Sequence, residues 1–338
     1  VNGFMGLEEI NSVLENYRLL SGVSWSLPIL LQLEEVQTLN LPDHGEVAIK
    51  FKEDGQVYGI LKIEKIEKIH SMQKIAKRWF DTTSLEHPGV GNFIQAGEYL
   101  VVGRPYLIKR QIVSDPSCSE LTPRQTKEII NDAGWHNVVG FHTRNVPHLG
   151  HEFIQKKALE KCNGDAIFIS PVVGKKKKGD FKGKAIIKCY QEMILKGYYS
   201  PYGALLAPFN TYSRYSGPRE AVFTALCRKN YGCNHFIVGR DHTGVKSYYE
   251  KDASIRIFDR VDTGLNIVHF DTALFCLECG KITISCKHNK KEKKVISGSQ
   301  VREDLLSKNQ IPWYLMRKDI AEYLLELHIA DPDQVMEK

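Results

Sequence analysis

The strongest constraint on the fold of this chain is an alternation of apolar runs and helical patterns between Thr122 and Gly239. Short runs suited to buried strands are separated there by longer segments with helical periodicity. Strands that alternate with helices favour a parallel sheet with right-handed crossovers. The predicted strands are 137–141, 165–169, 204–206 and 235–239, and the predicted helices are 122–134, 147–162, 185–195 and 218–229.

The part of the chain before Thr122 has a β-rich pattern instead. Two runs of strand-forming residues are separated by a turn that contains Asp54-Gly55, which is typical of a hairpin. This pattern predicts a separate, mostly β domain that precedes the parallel sheet. The further predictions are a hairpin over 46–63, helices over 7–17 and 66–79, a linker over 115–123 and helices beyond residue 299.

Length and composition indicate a folded protein of more than one domain. At roughly 150 residues per domain, the 338 residues predict two domains and a small third. No window approaches the ~18 apolar residues of a membrane span, so we predict no membrane association. The eight cysteines are too few for a disulfide scaffold, which favours a reducing, cytoplasmic location. Residues 1–6 lack a signal-peptide pattern and an initiator Met, so we expect the chain to begin inside a longer one.

The charge is mildly positive, because 46 Lys and Arg against 40 Asp and Glu leave a net charge of +6. Lysines are concentrated in the runs 175–184 and 287–294, which are either solvated loops or anion-binding loops. Only Phe181 is interleaved as an aromatic platform, so a nucleic-acid surface is disfavoured. We therefore interpret the first run, which follows a predicted strand, as a mobile loop that collects phosphate.

The loop after the first predicted strand of the sheet is rich in chemistry-bearing side chains. Ligands of open α/β sheets bind at the carboxyl ends of the strands. We predict Asn145 as the helix cap and Pro147 in the first turn, which places His148 and His151 on one face of the helix start. A helix N-terminus favours phosphate, and Gly150 would let a nucleotide approach the backbone. The alternative is a pair of surface histidines on an ordinary helix.

The loop after the last predicted strand begins at Arg240 and is equally polar, with Arg240, Asp241, His242 and Thr243. Arg214 and Arg219 lie near the start of the preceding helix, and converging arginines suit bidentate contacts to phosphate or sulfate. Structural salt bridges are the alternative for each of them.

Together these segments resemble the ATP sulfurylase (sulfate adenylyltransferase) family of the HxGH nucleotidyltransferase superfamily. The resemblance rests on four motifs in the family's order: HTRNVPHLGHE, GPREA, RKNYG followed by FIVGRDHTG, and ISGSQVRE. HPGVGNF, at residues 87–93, is similar to a segment of the family's first domain. The resemblance covers almost the whole chain.

The resemblance implies a Rossmann-like α/β fold. A β-rich, PUA-like domain would span residues 1–121, a parallel-sheet nucleotidyltransferase domain 122–296 and a small helical domain 297–338. The implied reaction joins ATP and sulfate to give adenosine 5′-phosphosulfate and pyrophosphate, with Mg²⁺ on the triphosphate and no covalent enzyme intermediate. The resemblance leaves open the physiological direction and a homo-oligomeric state.

The resemblance also implies roles for individual residues, carried over motif by motif. Thr143, Arg144 and Asn145 would be catalytic. The nucleotide would be bound by Arg144, Asn145, His148, His151, Gly239, Arg240, Asp241, His242, Ser297 and Arg302, and sulfate by His142, Arg144 and Thr243.

The chain departs from the family pattern mainly where sulfate would bind. His142 stands where the family has a Gln that contacts sulfate, and Thr243 stands where it has an Ala. Val146 replaces a Pro, and Leu149 takes a position that is commonly Arg. His142 would either donate one hydrogen bond to sulfate or, as a cation, favour a different acid. An adenylyltransferase for another oxyanion or acid is therefore the alternative function.

A second feature is a cluster of potential metal ligands within 276–288. Cys276, Cys279, Cys286 and His288 have the ligand types of a structural tetrahedral zinc site, and some bacterial members of the resembled family carry one. The single residue between Cys286 and His288 requires a turn there. We predict structural zinc, and the alternative is reduced, unligated thiols.

Overall fold

The computed structural model describes residues 1–52, 54–110, 119–174, 176, 178–239, 248–250, 252–308 and 310–337. The chain divides into two compact units. The first combines Val1–Ile112 with Arg214–Leu226 and Asp241–Thr263, and the second contains the remaining segments, Val113–Ser213, Cys227–Arg240 and Gly264–Lys338.

The first unit contains an antiparallel sheet of four strands in the order β1-β4-β3-β2. Its alternating strand residues Leu61, Ile63 and Val101 are buried on one face, which provides the core of the sheet. The elements are α1 Leu7–Asn16, β1 Gln32–Leu33, α2 Glu35–Thr38, β2 Gly45–Lys50, β3 Val57–Lys68, α3 Met72–Phe80, α4 Pro88–Gln95 and β4 Tyr99–Leu107.

The predicted hairpin is confirmed, because β2 and β3 pair antiparallel with Glu46 opposite Lys62. The helix predicted over 66–79 is wrong in its first part. Ile66 lies in β3 opposite Val101 of β4, beyond a register shift between Ile63 and Lys65. Because β3 pairs with β4 again after this shift, the strand continues to Lys68. The helix therefore begins only at Met72.

The second unit contains the predicted parallel sheet. Its five strands have the order β7-β6-β5-β8-β9, and every neighbouring pair is parallel. The α/β fold class is therefore confirmed, with helix bounds close to those predicted. Its elements are α5 Pro123–Asp132, β5 Val138–Thr143, α6 Leu149–Cys162, β6 Ala166–Pro171, α7 Gly183–Leu195, β7 Gly203–Leu206, β8 His235–Ile237 and β9 Asn266–Val268. Of the helices between β7 and β9, α8 Pro218–Asn230 belongs to the first unit up to Leu226 and to the second from Cys227, and α9 Ala253–Arg256 belongs to the first unit.

The last part of the chain adds a small sheet and two helices. An antiparallel sheet of three short strands, order β11-β10-β12, was not predicted. The helices contribute Val301, Leu305, Ile320 and Leu324 to the core that covers the parallel sheet. The elements are β10 Leu274–Cys276, β11 Lys281–Thr283, β12 Lys293–Val295, α10 Gly298–Lys308 and α11 Lys318–Ala330.

This shared core explains why the second unit keeps residues 297–338 with the parallel sheet. The division into three domains at residues 121 and 296 stays a prediction, which is based on the sequence motifs and not on packing. Among the described helices, none combines the length and the apolar composition that a bilayer crossing requires.

The segment that follows α11 pairs with the loop before α7. Gly179 donates its N–H to the Glu337 carbonyl at 2.9 Å, and the Glu337 N–H is donated to the Asp180 carbonyl at 2.8 Å. The Lys182 N–H is donated to the Val335 carbonyl at 2.8 Å. These bonds hold the described part of the lysine-rich loop, whose Lys175 and Lys177 lie outside the described residues.

Candidate functional site

The site is built at the carboxyl end of β5, the central strand of the parallel sheet. Thr143 ends the strand, and its hydroxyl accepts the Asn145 N–H at 3.1 Å, which closes a tight turn. The turn places Arg144 and Asn145 beyond the sheet edge, where ligands of α/β sheets bind. Val146, at the family's Pro position, is fully buried in the core.

The helix after this turn begins later than predicted, and its cap is a histidine. His148 is the N-cap of α6, and its Nδ1 accepts the His151 N–H at 3.1 Å. Asn145 as the cap and Pro147 in the first turn are therefore wrong. A Cβ at Gly150 would lie 3.2 Å from Ile296 and from the His148 ring, so packing also favours glycine there.

The two histidines of the HxGH motif stack on each other with ring centroids 3.7 Å apart. Burial lowers the pKa of His148 to about 3. Burial first, and then the neighbouring His148, lower the pKa of His151 well below its usual value. Both rings are thus neutral, and because Nδ1 of His148 accepts a hydrogen bond, its Nε2 carries the proton and is a donor.

Asn145 is held instead by a residue from the far end of the chain. Arg302 of α10 donates from Nη1 to Asn145 Oδ1 at 2.9 Å and from Nη2 to Ser299 Oγ at 2.9 Å. A Cβ at Gly298 would lie 2.6 Å from the Asn145 amide, so only glycine allows this close approach. Ser297 stands just before α10, and its hydroxyl accepts the Gln300 N–H at 3.2 Å. The HTRNVPHLGHE motif, which contains Asn145, and the ISGSQVRE motif, which contains Arg302, are therefore in contact.

Positive charge accumulates around this contact. Arg144 Nη1 is buried and has no hydrogen-bond partner in the described part of the protein. Arg302 lies close enough to Arg144 for the two charges to repel, and burial is the main reason that its pKa is lowered. Burial also lowers the pKa of Lys176 to about 8. An anion would satisfy the guanidinium nitrogen and offset the repulsion.

Two carboxylates act on this group of cations: Asp180 acts on both Arg302 and Lys176, and Glu337 acts on Lys176. Asp180 is the more deeply buried of the two. Asp180 is 2% exposed, and its Oδ1 is 3.6 Å from Arg302 Nη1, while its Oδ2 has no hydrogen-bond partner among the described residues. Sequence reasoning interpreted the surrounding lysine run as a phosphate-collecting loop. The described part of the loop holds Lys176 buried, with its Nζ 3.2 Å from the Val172 carbonyl.

His142, the departure from the family pattern, has an arginine partner. Nη2 of Arg228, from α8, lies 2.7 Å from His142 Nδ1 and 3.1 Å from the Ser170 carbonyl. The guanidinium also stacks over Phe209 at 4.5 Å. The sequence analysis did not predict Arg228 as a functional residue, because it lies in the last turn of a helix, where polar side chains are common. Its position shortly before β8 is the one sequence feature that could have indicated a role near the sheet.

Of the other predicted residues, Gly239 is exposed and lies two residues beyond the carboxyl end of β8. The remaining nucleotide-side and sulfate-side residues of that loop, Arg240, Asp241, His242 and Thr243, lie outside the described residues.

Arg219, predicted as an anion ligand, has a structural role instead. It is 8% exposed and donates to the carbonyls of Leu14 at 2.7 Å, Val13 at 3.3 Å and Ser26 at 3.4 Å within the first unit. Because the guanidinium is buried and bound to three carbonyls, its contacts are those of a structural residue.

An ion pair with a buried carboxylate supports the helix that carries the histidines. Glu152 of α6 accepts bonds from Arg317 Nη2 at 2.6 Å and Nε at 2.7 Å, and from Lys156 Nζ at 2.6 Å. These partners outweigh burial and lower the pKa of the Glu152 carboxyl. Sequence reasoning missed Arg317, because no local pattern links it to α6.

The four candidate metal ligands come together as predicted. The ligand atoms of Cys276, Cys279, Cys286 and His288 all lie within 4.8 Å of one another. The chain bends at Lys287 and His288, as the spacing required. Three thiols and one imidazole at this separation have the chemistry of a closed tetrahedral zinc site.

Comparison with protein families and curated proteins gives consistent matches. Residues 118–327 match the ATP-sulfurylase family model, and residues 1–110 match that of the PUA-like domain. The chain is 38% identical to the sulfate adenylyltransferase of Halothermothrix orenii, over 96% of this chain and 85% of the relative. It is 36% identical to that of Cenarchaeum symbiosum and 37% identical to that of Thermococcus onnurineus, again over 96% of this chain and over 86% and 84% of those relatives.

A solved structure has a similar fold. The hexameric APS kinase from Thiobacillus denitrificans superposes with a TM-score of 0.69 at 15% identity. The match covers 98% of this chain and 58% of that chain. At this identity the similarity concerns the fold alone.

Proposed function

Because the chain belongs to the ATP sulfurylase family, we propose that the site at the carboxyl end of β5 carries out that family's reaction. The enzyme transfers the adenylyl group of ATP to sulfate, which gives adenosine 5′-phosphosulfate and pyrophosphate. The relatives named above are all sulfate adenylyltransferases, and none of them favours the alternative acceptor.

The observation that carries the site assignment is the meeting of Arg144 and Arg302 beside Asn145. ATP and sulfate are both anions, so bringing them together requires cations at the point of attack. The buried Nη1 of Arg144 supplies a donor with no other partner among the described residues, and Arg302 fixes the Asn145 amide at 2.9 Å. We assign the acceptor oxyanion and the α-phosphate to this position.

In the proposed mechanism a sulfate oxygen attacks the α-phosphorus in line, and the bond to the pyrophosphate oxygen breaks. Sulfate is fully ionised at neutral pH, so no side chain has to remove a proton from it. Thr143, Arg144 and Asn145 align the reactants and stabilise the charge that develops. His148 donates from Nε2 to a phosphate oxygen, and His151 lies stacked beside it.

The nucleotide and sulfate roles of Gly239, Arg240, Asp241, His242, Thr243 and Ser297 belong to the same proposal and rest on their motifs. So do the domain division at 121 and 296, a cytoplasmic location and a homo-oligomeric state.

The two expected metals, Zn²⁺ and Mg²⁺, differ in whether the described residues offer them protein ligands. In the described part of the chain, Cys276, Cys279, Cys286 and His288 are the only group of three or more potential ligands close enough to share an ion. Mg²⁺ prefers oxygen ligands and commonly arrives on substrate phosphates, so we assign it no protein ligands and derive no step from it. Zinc fits the thiol-rich group, where it would tie β10 to the segment after β11 and serve stability rather than chemistry.

Pyrophosphate release with sulfate, selenate, phosphate and an organic acid as acceptors tests the activity. We expect the highest kcat/KM among these with sulfate or selenate, and sulfate turnover at background would contradict the proposal. Arg144→Met should lower sulfate turnover by ~10²-fold or more. Arg124→Met, which removes a side chain that is 88% exposed in α5, is the matched control and should leave turnover unchanged.

A further inference from the structure

The contact between Arg228 and His142 determines which hydrogen-bonding atom His142 offers. Arg228 Nη2 lies 2.7 Å from His142 Nδ1, and a guanidinium has donors only. Nδ1 must therefore be the acceptor and carry no proton. In a neutral imidazole the proton is then on Nε2, so the histidine has one donor on the side away from Arg228.

Arg228 is well placed to impose this state. It is fully buried, its guanidinium stacks on Phe209, and Nη2 also donates to the Ser170 carbonyl, so the group is held from three sides. A Cβ at Gly140 would lie 3.0 Å from Arg228 Cγ, which shows how closely the arginine stem packs on β5. If His142 were protonated, its Nδ1–H would point at an N–H of Arg228, and two positively charged groups would lie 2.7 Å apart.

We propose that Arg228 is a positioning residue that keeps His142 neutral, with its proton on Nε2, so that His142 donates one hydrogen bond to the acceptor oxyanion. This inference rests on the proposed function and on the sulfate-binding role that the family resemblance implies for His142. A neutral imidazole with one acceptor and one donor has the polarity of a glutamine amide. His142 therefore replaces the glutamine of the family as a neutral hydrogen-bond donor to the oxyanion. The alternative, in which His142 acts as a cation, is disfavoured.

The titratable neighbours of Arg228 bear on any pH measurement of this pair. Within the described residues, the titratable groups that act on the guanidinium are Cys227, Tyr231 and Cys233. Thiols and phenols ordinarily titrate above about pH 8, and burial raises the pKa of Cys233 to about 12. On β6, the residue opposite His142 is Ser170, which does not titrate in this range.

The first test reads the tautomer directly in the full-length protein. Histidine-selective ¹⁵N labelling and long-range proton–nitrogen spectra are recorded from pH 5.5 to 8, and His142→Gln identifies the His142 signals. We expect an unprotonated Nδ1 and a protonated Nε2 throughout this range. A His142 that carries its proton on Nδ1, or that titrates near ~6.5 like a free imidazole, would overturn the inference without any variant of Arg228.

The second test removes the donor. Arg228→Met keeps the bulk of the side chain and removes a buried cation whose Nε and Nη1 have no hydrogen-bond partner among the described residues, so we expect it to fold. At pH 8 its KM for sulfate should rise by about tenfold or more, the range for a lost hydrogen bond to a charged group. Without the Arg228 donor, the imidazole of His142 can accept a second proton, so KM should fall as the pH is lowered from 8 to 5.5.

The control is the double variant Arg228→Met/His142→Gln, which should lack this new pH dependence. His142→Gln alone should show no change of KM between pH 5.5 and 8, because an amide does not titrate. A rise in KM without new pH dependence would reduce Arg228 to a packing residue. If wild-type protein does not turn over sulfate, the proposed function fails, while the spectra still decide the tautomer.

Discussion

Acid should destabilise this protein through the histidine that caps α6. The pKa of His148 is about 3 in the folded protein because burial disfavours the cation, whereas an imidazole in an unfolded chain titrates near ~6.5. Between these values the unfolded chain binds more protons than the folded one. The free energy of unfolding therefore falls as the pH is lowered through 6.5.

The size of the effect follows from this difference in proton binding. At pH 5 the folded ring is still neutral, while almost every unfolded ring is protonated, which costs about 2 kcal/mol of stability relative to pH 7. The ring is only 7% exposed, so water offers little compensation. The depressed pKa of His151 acts in the same direction.

His148→Asn separates this contribution from the rest of the protein. Asparagine is a preferred N-cap whose oxygen can replace Nδ1 in accepting the His151 N–H, and it does not titrate. Urea unfolding at pH 7 and pH 5, followed by circular dichroism, gives the loss of stability for each protein. We expect the variant to lose about 2 kcal/mol less than the wild type, and equal losses in the two proteins would refute the reasoning.

Three further outcomes are expected. His151→Ala should lower sulfate turnover by at least ~10²-fold in the pyrophosphate assay with the circular dichroism spectrum unchanged; near-normal turnover would remove this imidazole from the reaction. Arg317→Met should lower the free energy of unfolding by roughly 2 kcal/mol, because it leaves the Glu152 carboxylate buried with one cation fewer; Arg317→Met/Glu152→Gln should recover part of the loss, and no recovery would argue against the pair. Protein purified without added zinc should contain close to one zinc per chain, and chelation should lower its Tm; a metal content near zero would exclude the site.

Much of the second unit was predictable because its signals are local. Buried strands such as 165–169 are short apolar runs between turn residues, and such runs identify a parallel sheet without knowledge of its neighbours. The Cys/His group was predictable for the same reason, since its spacing is carried within one short segment. The position of His148 and His151 at the start of a helix also follows from local sequence, although the capping residue does not.

The remaining features depend on contacts between distant residues. Arg302 reaches Asn145 across 157 positions, and Arg317 reaches Glu152 across 165, so neither partner can be chosen from local sequence. Arg219 shows the converse, because an arginine in a motif next to a site was predicted to bind anions and is instead bound to carbonyls far away in the chain. The helix predicted from residue 66 failed because pairing with β4, and not propensity, extends β3 to Lys68.

The pairing of Val335 and Glu337 with the loop at Gly179–Lys182 has a practical consequence for expression. A clone that stops after α11 would preserve every long helix yet strip the backbone partners from the stretch that presents Asp180. Such a shortened protein should fold and purify well but have low turnover. That low turnover could be mistaken for evidence against the family's chemistry.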